Sequence, residues 1–241
     1  MAIIVETEED QAINSTAEAC AVPDPNAIQL QVEYLFASSV WRTSAPQFLE
    51  TVQSVVKTAF SKRKKEHPEI LKTVYPTIMT DNIHTDPRCV EFANYIQQSA
   101  WTVLNNQGYN MDLFDMQFYD CFGQEHHKYS GHDTHTHPGG QITGFYFLET
   151  PENCCRVVFQ DPRHGKNHGA IGERNMSQAT LASYEINYQP TAGDFFFTNS
   201  WLPHSFTRNA NIKPMRFIHF TLGVQFKQQQ QPVLVEAANV V

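Results

Sequence analysis

The part of the sequence that follows Gly108 constrains the fold most strongly. From there to residue 226, short runs rich in aromatic and β-branched residues alternate with turn residues. Runs of this length and spacing favour the strands of a sandwich or barrel over helices. The predicted strands cover residues 113–122, 133–137, 141–149, 155–160, 180–188, 194–199, 204–208 and 215–226.

Helical periodicity is confined to the region before these strands. Apolar residues recur three or four positions apart after Pro46, and again after Asp86-Pro87, where proline suits the first helical turn. The sequence therefore predicts a mainly β protein with supporting helices, in the α+β class. We expect a single domain over residues 27–226, with helical support in 46–106 and the β-core in 112–226. A flexible N-terminal arm (1–26) and a glutamine-rich C-terminal tail (227–241) would flank it.

Charge and composition exclude several classes of partner. The formal net charge is −8 and no basic patch of the size needed for nucleic acid is present, so we expect no nucleic-acid partner. No apolar run is long enough to span a bilayer and no signal peptide is recognisable, so we expect no membrane partner. The five cysteines include no Cys-x-x-Cys pair, which favours a reducing, cytoplasmic location. The apolar run at 233–235 could pair with the edge of a second subunit and form a homodimer.

The densest group of metal-binding side chains is the segment from His132 to Pro138. On a strand, residues two apart point to the same face, so Asp133, His135 and His137 are predicted to share one. Imidazoles that converge in this way can bind Fe(II), Zn(II), Cu(II) or Ni(II). A polar loop with solvated histidines is the alternative, because a lone His-x-His is weak evidence.

Two later features strengthen the metal-site prediction. An aromatic segment at 193–198 leads to Trp201-Leu202-Pro203-His204, which places another histidine at the start of a strand. Arg216 then begins an otherwise apolar strand, where its planar guanidinium needs a partner such as a carboxylate. Either residue could also be structural, His204 in a turn and Arg216 at a strand edge.

Six motifs in this order resemble the 2-oxoglutarate/Fe(II)-dependent oxygenase superfamily. The similarity is greatest to a branch with His-x-His-Pro, and the prolyl 4-hydroxylase-like enzymes are more distant. The motifs are His135-Thr136-His137-Pro138, Gly144-Phe145-Tyr146-Phe147-Leu148, Phe159-Gln160-Asp161-Pro162-Arg163, Gly193 to Thr198, Trp201-Leu202-Pro203-His204, and Arg216. The resemblance implies a double-stranded β-helix core of the jelly-roll or cupin type.

The resemblance also implies an activity and its cofactors. These are Fe(II), the co-substrate 2-oxoglutarate and O₂, used to hydroxylate a C–H bond of an unidentified peptide or protein side chain or small metabolite. His135, His137 and His204 would hold the metal. Most of the superfamily has a carboxylate in place of His137, so Asp133 is an alternative ligand. In a third arrangement His132 is a ligand and one of the paired histidines is not.

The remaining predicted site residues also follow from the resemblance. Arg216 would bind the C5 carboxylate of 2-oxoglutarate, with hydroxyl or amide groups of Tyr146, Gln117 and Thr221 nearby. The substrate pocket would include Tyr119, Asp161, Arg163 and Trp201. Each has an ordinary structural alternative, such as core packing for Tyr146 and Trp201, strand alternation for Gln117 and Tyr119, and a local ion pair for Asp161 and Arg163.

Two other classes of function compete with the oxygenase. A cupin-type three-histidine metalloenzyme would not use 2-oxoglutarate, and the predicted carboxylate clamp of Arg216 argues against it. A non-catalytic β-sandwich binding module would leave the histidines incidental, and the six ordered motifs argue against that.

Overall fold

Ten strands and two helices make up the part of the chain that the computed structural model describes, residues 35–163, 165–166 and 171–227. The helices are α1 (Leu49–Glu66) and α2 (Val90–Asn106). The strands are β1 (Val40–Ser44), β2 (Thr77–Asn82), β3 (Phe114–His126), β4 (His132–His135), β5 (Ile142–Glu149), β6 (Val157–Gln160), β7 (Glu185–Tyr188), β8 (Asp194–Asn199), β9 (His204–Phe206) and β10 (Met215–Phe226).

The strands form two antiparallel sheets. The larger sheet has the order β1-β8-β5-β10-β3-β2, and the smaller has the order β4-β9-β6-β7. From β3 onward the chain crosses from one sheet to the other at every connection except β6–β7, so strands that are neighbours in a sheet are distant in sequence. This is the strand order of a double-stranded β-helix, and it confirms the predicted fold class.

Strict alternation along β5 and β10 gives the larger sheet two buried faces. Tyr146 and Leu148 pack with the helices on one face, whereas Phe145 and Phe147 point between the sheets. The same division separates the residues of β10. Those that pack towards the helices are Ile218, Phe220 and Leu222, and those that pack between the sheets are Met215 and Phe217.

The helices cover the outer face of the larger sheet. The apolar residues predicted from helical spacing are buried there, including Val52, Val56 and Phe60 of α1. Asp86 accepts a hydrogen bond from the backbone N–H of Arg88 at 2.9 Å, which caps the short turn preceding α2. The opposite face of the larger sheet, called the cavity face below, lies against the smaller sheet.

The structure contains two strands that the sequence did not predict. β1 lies before the predicted helical segment and pairs with β8 at one edge of the larger sheet. β2 lies in the segment expected to contain only helical support, and it pairs with β3 as an edge strand of the larger sheet. Its first five residues alternate between more buried and more exposed positions, but the strand is too short for this periodicity to stand out. No helix among the described residues is both long and apolar enough to cross a bilayer. The N-terminal arm and the 233–235 segment lie outside the described residues, as do residues 164 and 167–170 and all of the tail except Lys227.

Candidate metal centre

Three histidines meet between the two sheets. One ring nitrogen from each of His135, His137 and His204 lies within 4.8 Å of the others, and this arrangement could hold a metal ion. His135 on β4 and His204 on β9 are direct cross-strand partners, with ring centroids 4.6 Å apart. The cluster thus depends on a strand pair whose members are separated by nearly seventy residues.

A β-bulge in β4 decides which neighbours join the cluster. His132 pairs with Phe206 and His135 pairs with His204, so three steps on β4 match two steps on β9. Both β4 histidines consequently point between the sheets, where their rings stack at 4.4 Å. The carboxylate of Asp133 points outward instead and pairs with Arg208 at 3.1 Å. The prediction that Asp133 shares a face with His135 is therefore wrong, because the bulge interrupts the alternation on which it was based.

His137 reaches the cluster from a tight turn after β4. The backbone N–H of Gly140 bonds to the His137 carbonyl at 3.3 Å, and Gly139 has a φ of +92°. Proline followed by glycine at these two central positions is typical of a type II turn. A second bond, from the His137 N–H to the Ser200 carbonyl at 2.9 Å, fixes the turn against the end of β8.

Carbonyl groups orient two of the three imidazoles. Nδ1 of His135 lies 2.8 Å from the Asp133 carbonyl, and Nδ1 of His204 lies 2.9 Å from the Leu202 carbonyl. A carbonyl can only accept, so each Nδ1 carries the proton and each Nε2 has its lone pair free. Nε2 of His204 lies 3.2 Å from Nε2 of His137. Anchoring of the non-ligating nitrogen in this way is usual for metal-binding histidines.

Burial keeps the imidazoles of His137 and His204 neutral near pH 7. Burial and repulsion from His135 and His137 together outweigh the opposing effect of the Leu202 hydrogen bond and lower the pKa of His204 to about 3. Burial, followed by repulsion from His219 and His135, lowers the pKa of His137 to about 4. Neutral imidazole is the form that binds a divalent metal, so the donor set fits such an ion.

Arg216 lies on the opposite face of β10 from the cavity. Its Nε donates to Glu125 Oε2 at 2.6 Å and its Nη1 donates to Glu149 Oε1 at 2.7 Å. Its guanidinium also lies 5.8 Å from the ring centroid of Phe60 on α1. The prediction that Arg216 lies beside the metal is therefore wrong. Both of its carboxylate partners belong to the protein and lie on the helix side of the sheet.

The three other residues predicted to contact 2-oxoglutarate are dispersed. Tyr146 belongs to the helix-side core and donates to the Ala45 carbonyl at 2.9 Å, which corrects its predicted pocket position. Gln117 pairs with Gly223 beyond a bulge in the β3–β10 ladder. Thr221 lies on the cavity face of β10, and its buried hydroxyl has no hydrogen-bond partner among the described groups. Thr221 is the member of this set that faces the site.

The predicted substrate residues have mixed placements. Asp161 accepts from the Arg163 side chain at 2.7 and 2.9 Å and pairs with Lys166 at 3.0 Å, which is the local ion pair considered from the sequence. The ring of Tyr119 lies against Gly223, and half of its surface is exposed. Trp201, also half-exposed, follows Ser200, whose carbonyl holds the His137 turn.

Two residues beside the cluster were not predicted. His219 is on the cavity face of β10, and its Nε2 lies 3.3 Å from Nε2 of His137. Its Nδ1 faces Oδ1 of Asp120 on β3 at 3.1 Å. Alternation along the strand, applied from Phe217 onward, could have identified His219. The prediction placed Arg216 in the site, and strand alternation would then have placed His219, three residues later, on the opposite face.

Comparisons with known proteins agree with this site and fold. Residues 123–219 match the family model described as "Putative 2OG-Fe(II) oxygenase". Among solved structures, AviO1 from Streptomyces viridochromogenes Tue57 has a TM-score of 0.53 at 12% identity, covering 77% of this chain and 90% of that one. HygX from Streptomyces hygroscopicus has a TM-score of 0.50 at 12% identity, covering 77% and 83%. The carbocyclase SnoK from nogalamycin biosynthesis has a TM-score of 0.50 at 11% identity, covering 80% and 84%.

No curated protein matches the sequence significantly. The similarity to known proteins therefore rests on the family match over residues 123–219 and on the fold. The family match contains the three clustered histidines, and the fold is the double-stranded β-helix of the structural relatives. By these two observations, residues 123–219 are similar to a family of putative 2OG-Fe(II) oxygenases, and the described part of the chain has the fold of its structural relatives.

Proposed function

We propose that this chain is an Fe(II)- and 2-oxoglutarate-dependent dioxygenase that hydroxylates a C–H bond of a peptide or protein side chain or of a small metabolite. The observation that carries the proposal is the convergence of His135, His137 and His204 within 4.8 Å inside an oxygenase fold. The HygX structure was solved with nickel and 2-oxoglutarate bound, which shows that this fold accommodates both. The bound iron would supply the oxidation chemistry that side chains lack.

The protein's own contribution is to hold neutral ligands and leave coordination positions open. Most of the superfamily binds the metal with two imidazoles and one carboxylate. Three neutral imidazoles give the metal site a net charge that is one unit more positive. An anionic co-substrate is thereby favoured. The unpartnered hydroxyl of Thr221 is a donor available to a carboxylate of that co-substrate. Aromatic residues surround the ligands, including Phe145, whose ring lies 5.4 Å from that of His204, and they keep bulk water from the inner side of the site.

The cupin-type alternative gains from the position of Arg216. The expected carboxylate clamp was the argument against that alternative, and in the structure Arg216 is paired with Glu125 and Glu149 on the helix side. The same experiment therefore has to separate a 2-oxoglutarate-dependent enzyme from a three-histidine enzyme that does not use it. Convergence of the histidines itself argues against a non-catalytic module.

Anaerobic addition of Fe(II) and then 2-oxoglutarate should produce the weak visible charge-transfer band of a chelated 2-oxo acid. Admission of air should then convert 2-oxoglutarate to succinate and remove the band. Both signals should be absent from His204→Ala and present in His67→Gln, which changes a partly exposed histidine after α1. If the protein binds Fe(II) but shows no charge-transfer band after 2-oxoglutarate is added, it does not use 2-oxoglutarate. That result would favour the cupin-type alternative.

Arg216→Met should separate a structural role from a binding role. Because the guanidinium is held by Glu125 and Glu149, we expect this variant to be less stable but to bind 2-oxoglutarate with an affinity within about twofold of the wild type. Isothermal titration at a temperature where both proteins are folded measures the affinity. A tenfold loss of 2-oxoglutarate affinity with unchanged metal affinity would restore the role first predicted for Arg216.

The proposal extends to the setting of the protein. Cys89, Cys121, Cys154 and Cys155 are buried free thiols, as expected for a reducing, cytoplasmic compartment. Burial raises the pKa of Cys155 to about 12, so this thiol stays protonated and unreactive at neutral pH. A homodimer remains part of the proposal, and sedimentation of the full chain tests it.

A further inference from the structure

Asp120 on β3 is a partly buried carboxylate that no lysine or arginine of the described residues neutralises. Its side chain is 34% exposed, and its buried Oδ1 has no hydrogen-bond partner among the described groups. The carboxylates of Asp86, Glu125 and Asp161 are more buried, and each pairs with a lysine or arginine at 2.6–2.7 Å. Because removal of a carboxylate from water costs free energy unless a cation or a donor compensates it, Asp120 is suited to a partner from outside the chain.

Two imidazoles that interact with Asp120 leave this carboxylate unsatisfied. Nδ1 of His219 lies 3.1 Å from Oδ1 of Asp120, but the geometry does not form a hydrogen bond, and both atoms are without a partner among the described groups. His84 stacks on Phe118 with ring centroids 4.6 Å apart, and its buried Nδ1 also has no partner there. Burial lowers the pKa of His84, against the attraction of Asp120, so His84 is neutral near pH 7 and does not balance the charge of the carboxylate.

Asp120 lies next to the metal centre. It pairs across β10 with Thr221, which pairs in turn with Thr143 of β5, so the three residues form one row on the cavity face. His219 precedes Thr221 by two residues and shares that face. Its Nε2 lies 3.3 Å from Nε2 of His137, so a single imidazole ring separates Asp120 from a predicted metal ligand.

An aromatic ring and a hydroxyl group complete the surroundings of the carboxylate. The β-bulge in the β3–β10 ladder inserts Tyr119 beside Asp120, and the tyrosine ring lies so close to Gly223 that a Cβ there would overlap it. The buried hydroxyl of Thr221 has no partner among the described groups, and it can accept one hydrogen bond while it donates another to the co-substrate. A carboxylate, a hydroxyl oxygen and an aromatic ring are the groups that receive an ammonium ion.

We propose that Asp120 binds an ammonium group of the substrate and so orients the C–H bond that is to be oxidised. The inference rests on the proposed function and deepens it, because it names the chemical class of the substrate as a primary amine in its ammonium form. Asp120 and Thr221 would accept hydrogen bonds from the ammonium group, and Tyr119 would contact the carbon next to it. The net charge of −8 favours the approach of such a cation.

The charge preference is measured with two probes of equal length, butylammonium and 1-butanol. In ligand-observed NMR titrations of the metal-free protein, butylammonium should bind at least about tenfold more tightly than 1-butanol, as expected for a charge-assisted hydrogen bond. Asp120→Asn should abolish this preference. Asp115→Asn, which removes the same charge from an exposed position of β3, should retain it. Equal affinities of the two probes for the wild type, or the same result in both variants, would overturn the inference.

The position of the bound probe is measured by paramagnetic relaxation. In the Co(II)-loaded protein, the protons of butylammonium should relax faster than in the Zn(II)-loaded protein, because a single imidazole ring separates Asp120 from His137. Binding without this enhancement would place the ammonium group elsewhere and overturn the inference. Nα-acetyl-lysine amide then identifies the source of the amine. Tighter binding than that of butylammonium indicates a lysine side chain, and equal or weaker binding indicates a free amine.

These outcomes distinguish the inference from the proposed function. A protein that binds butylammonium through Asp120 but shows no charge-transfer band with Fe(II) and 2-oxoglutarate would contradict only the proposed function. A normal band together with equal affinities for butylammonium and 1-butanol would contradict only the role of Asp120. The affinities are measured without metal and without turnover, so they do not depend on identifying the substrate.

Discussion

Glu125→Gln is expected to lower the free energy of unfolding by about 3–5 kcal/mol, because it removes the shared anion of a buried ion-pair network. Glu125 is fully buried, accepts from Arg216 at 2.6 Å and pairs with Lys64 of α1 at 2.7 Å, and also contacts His127. Glutamine preserves the shape but leaves these cations without a charge partner. Urea denaturation measures the loss.

The exposed pair between Asp133 and Arg208 provides the control for this measurement. Exposed ion pairs contribute roughly 0–1 kcal/mol, so Asp133→Asn should change stability little. Similar losses in Glu125→Gln and Asp133→Asn would show that the buried network has no special contribution. The comparison is informative because both substitutions exchange one carboxylate for an amide.

The pH dependence of stability follows from the same carboxylate. Burial on its own would raise the pKa of Glu125, but hydrogen bonds from His127, Lys64 and Arg216 outweigh it and hold the pKa at about 2. The folded-state pKa is thus depressed below the ordinary 4.5. Its contribution is complete above pH 4.5 and is lost as the pH falls towards 2. In this pH window the free energy of unfolding of the wild type should fall steeply as the pH is lowered. The free energy of unfolding of Glu125→Gln should depend less on pH there.

His137→Ala is expected to weaken metal binding by more than about 100-fold, which exceeds the usual effect of losing a supporting residue. The same measurement on Asp133→Ala should give an affinity within about twofold of the wild type, because this carboxylate points away from the cluster. The two variants together decide which residue replaces the usual carboxylate of the superfamily. Titration with Co(II) or Fe(II) under anaerobic conditions provides both dissociation constants.

The contrary result would be equally clear. If Asp133→Ala abolished binding while His137→Ala did not, the bulge in β4 would have to rearrange when the metal enters. Intact thermal unfolding of both metal-free variants is the necessary control, since His137 is also held through its backbone by Ser200. Visible spectra of the Co(II) forms would then report whether the remaining ligands still surround the ion.

Most of the fold was predictable because local patterns determined its elements. The predicted strand at 215–226 has the bounds of β10, and the one at 194–199 has those of β8. Both helices lie where apolar residues recur at helical spacing. The short edge strand β2 was missed, because six residues give too little periodicity to distinguish a strand from a connection.

The types and the order of the metal-site residues were predictable from the sequence. The direction in which each side chain points was not. His-x-His and a later histidine after an aromatic strand identified the cluster. One extra residue in β4 then turned Asp133 outward and His132 inward. Strand alternation, which repeats every two residues, does not predict where a β-bulge interrupts it. On β10, the placement of Arg216 beside the metal was inferred from its charge and from the family resemblance. The strand's alternation assigned Arg216 to the helices and His219 to the cavity.

The sequence by itself therefore determined the class of fold and the three histidines that meet in it, since both follow from short-range spacing and an ordered set of motifs. Only the tertiary structure decided which carboxylates are available and which cations are already paired. Those properties depend on contacts such as Glu125 with Arg216 and Asp120 with His219, between strands that lie about 90 and 100 residues apart. The orientation of a strand in its sheet, which pairing with distant strands fixes, selected which side chains face the metal.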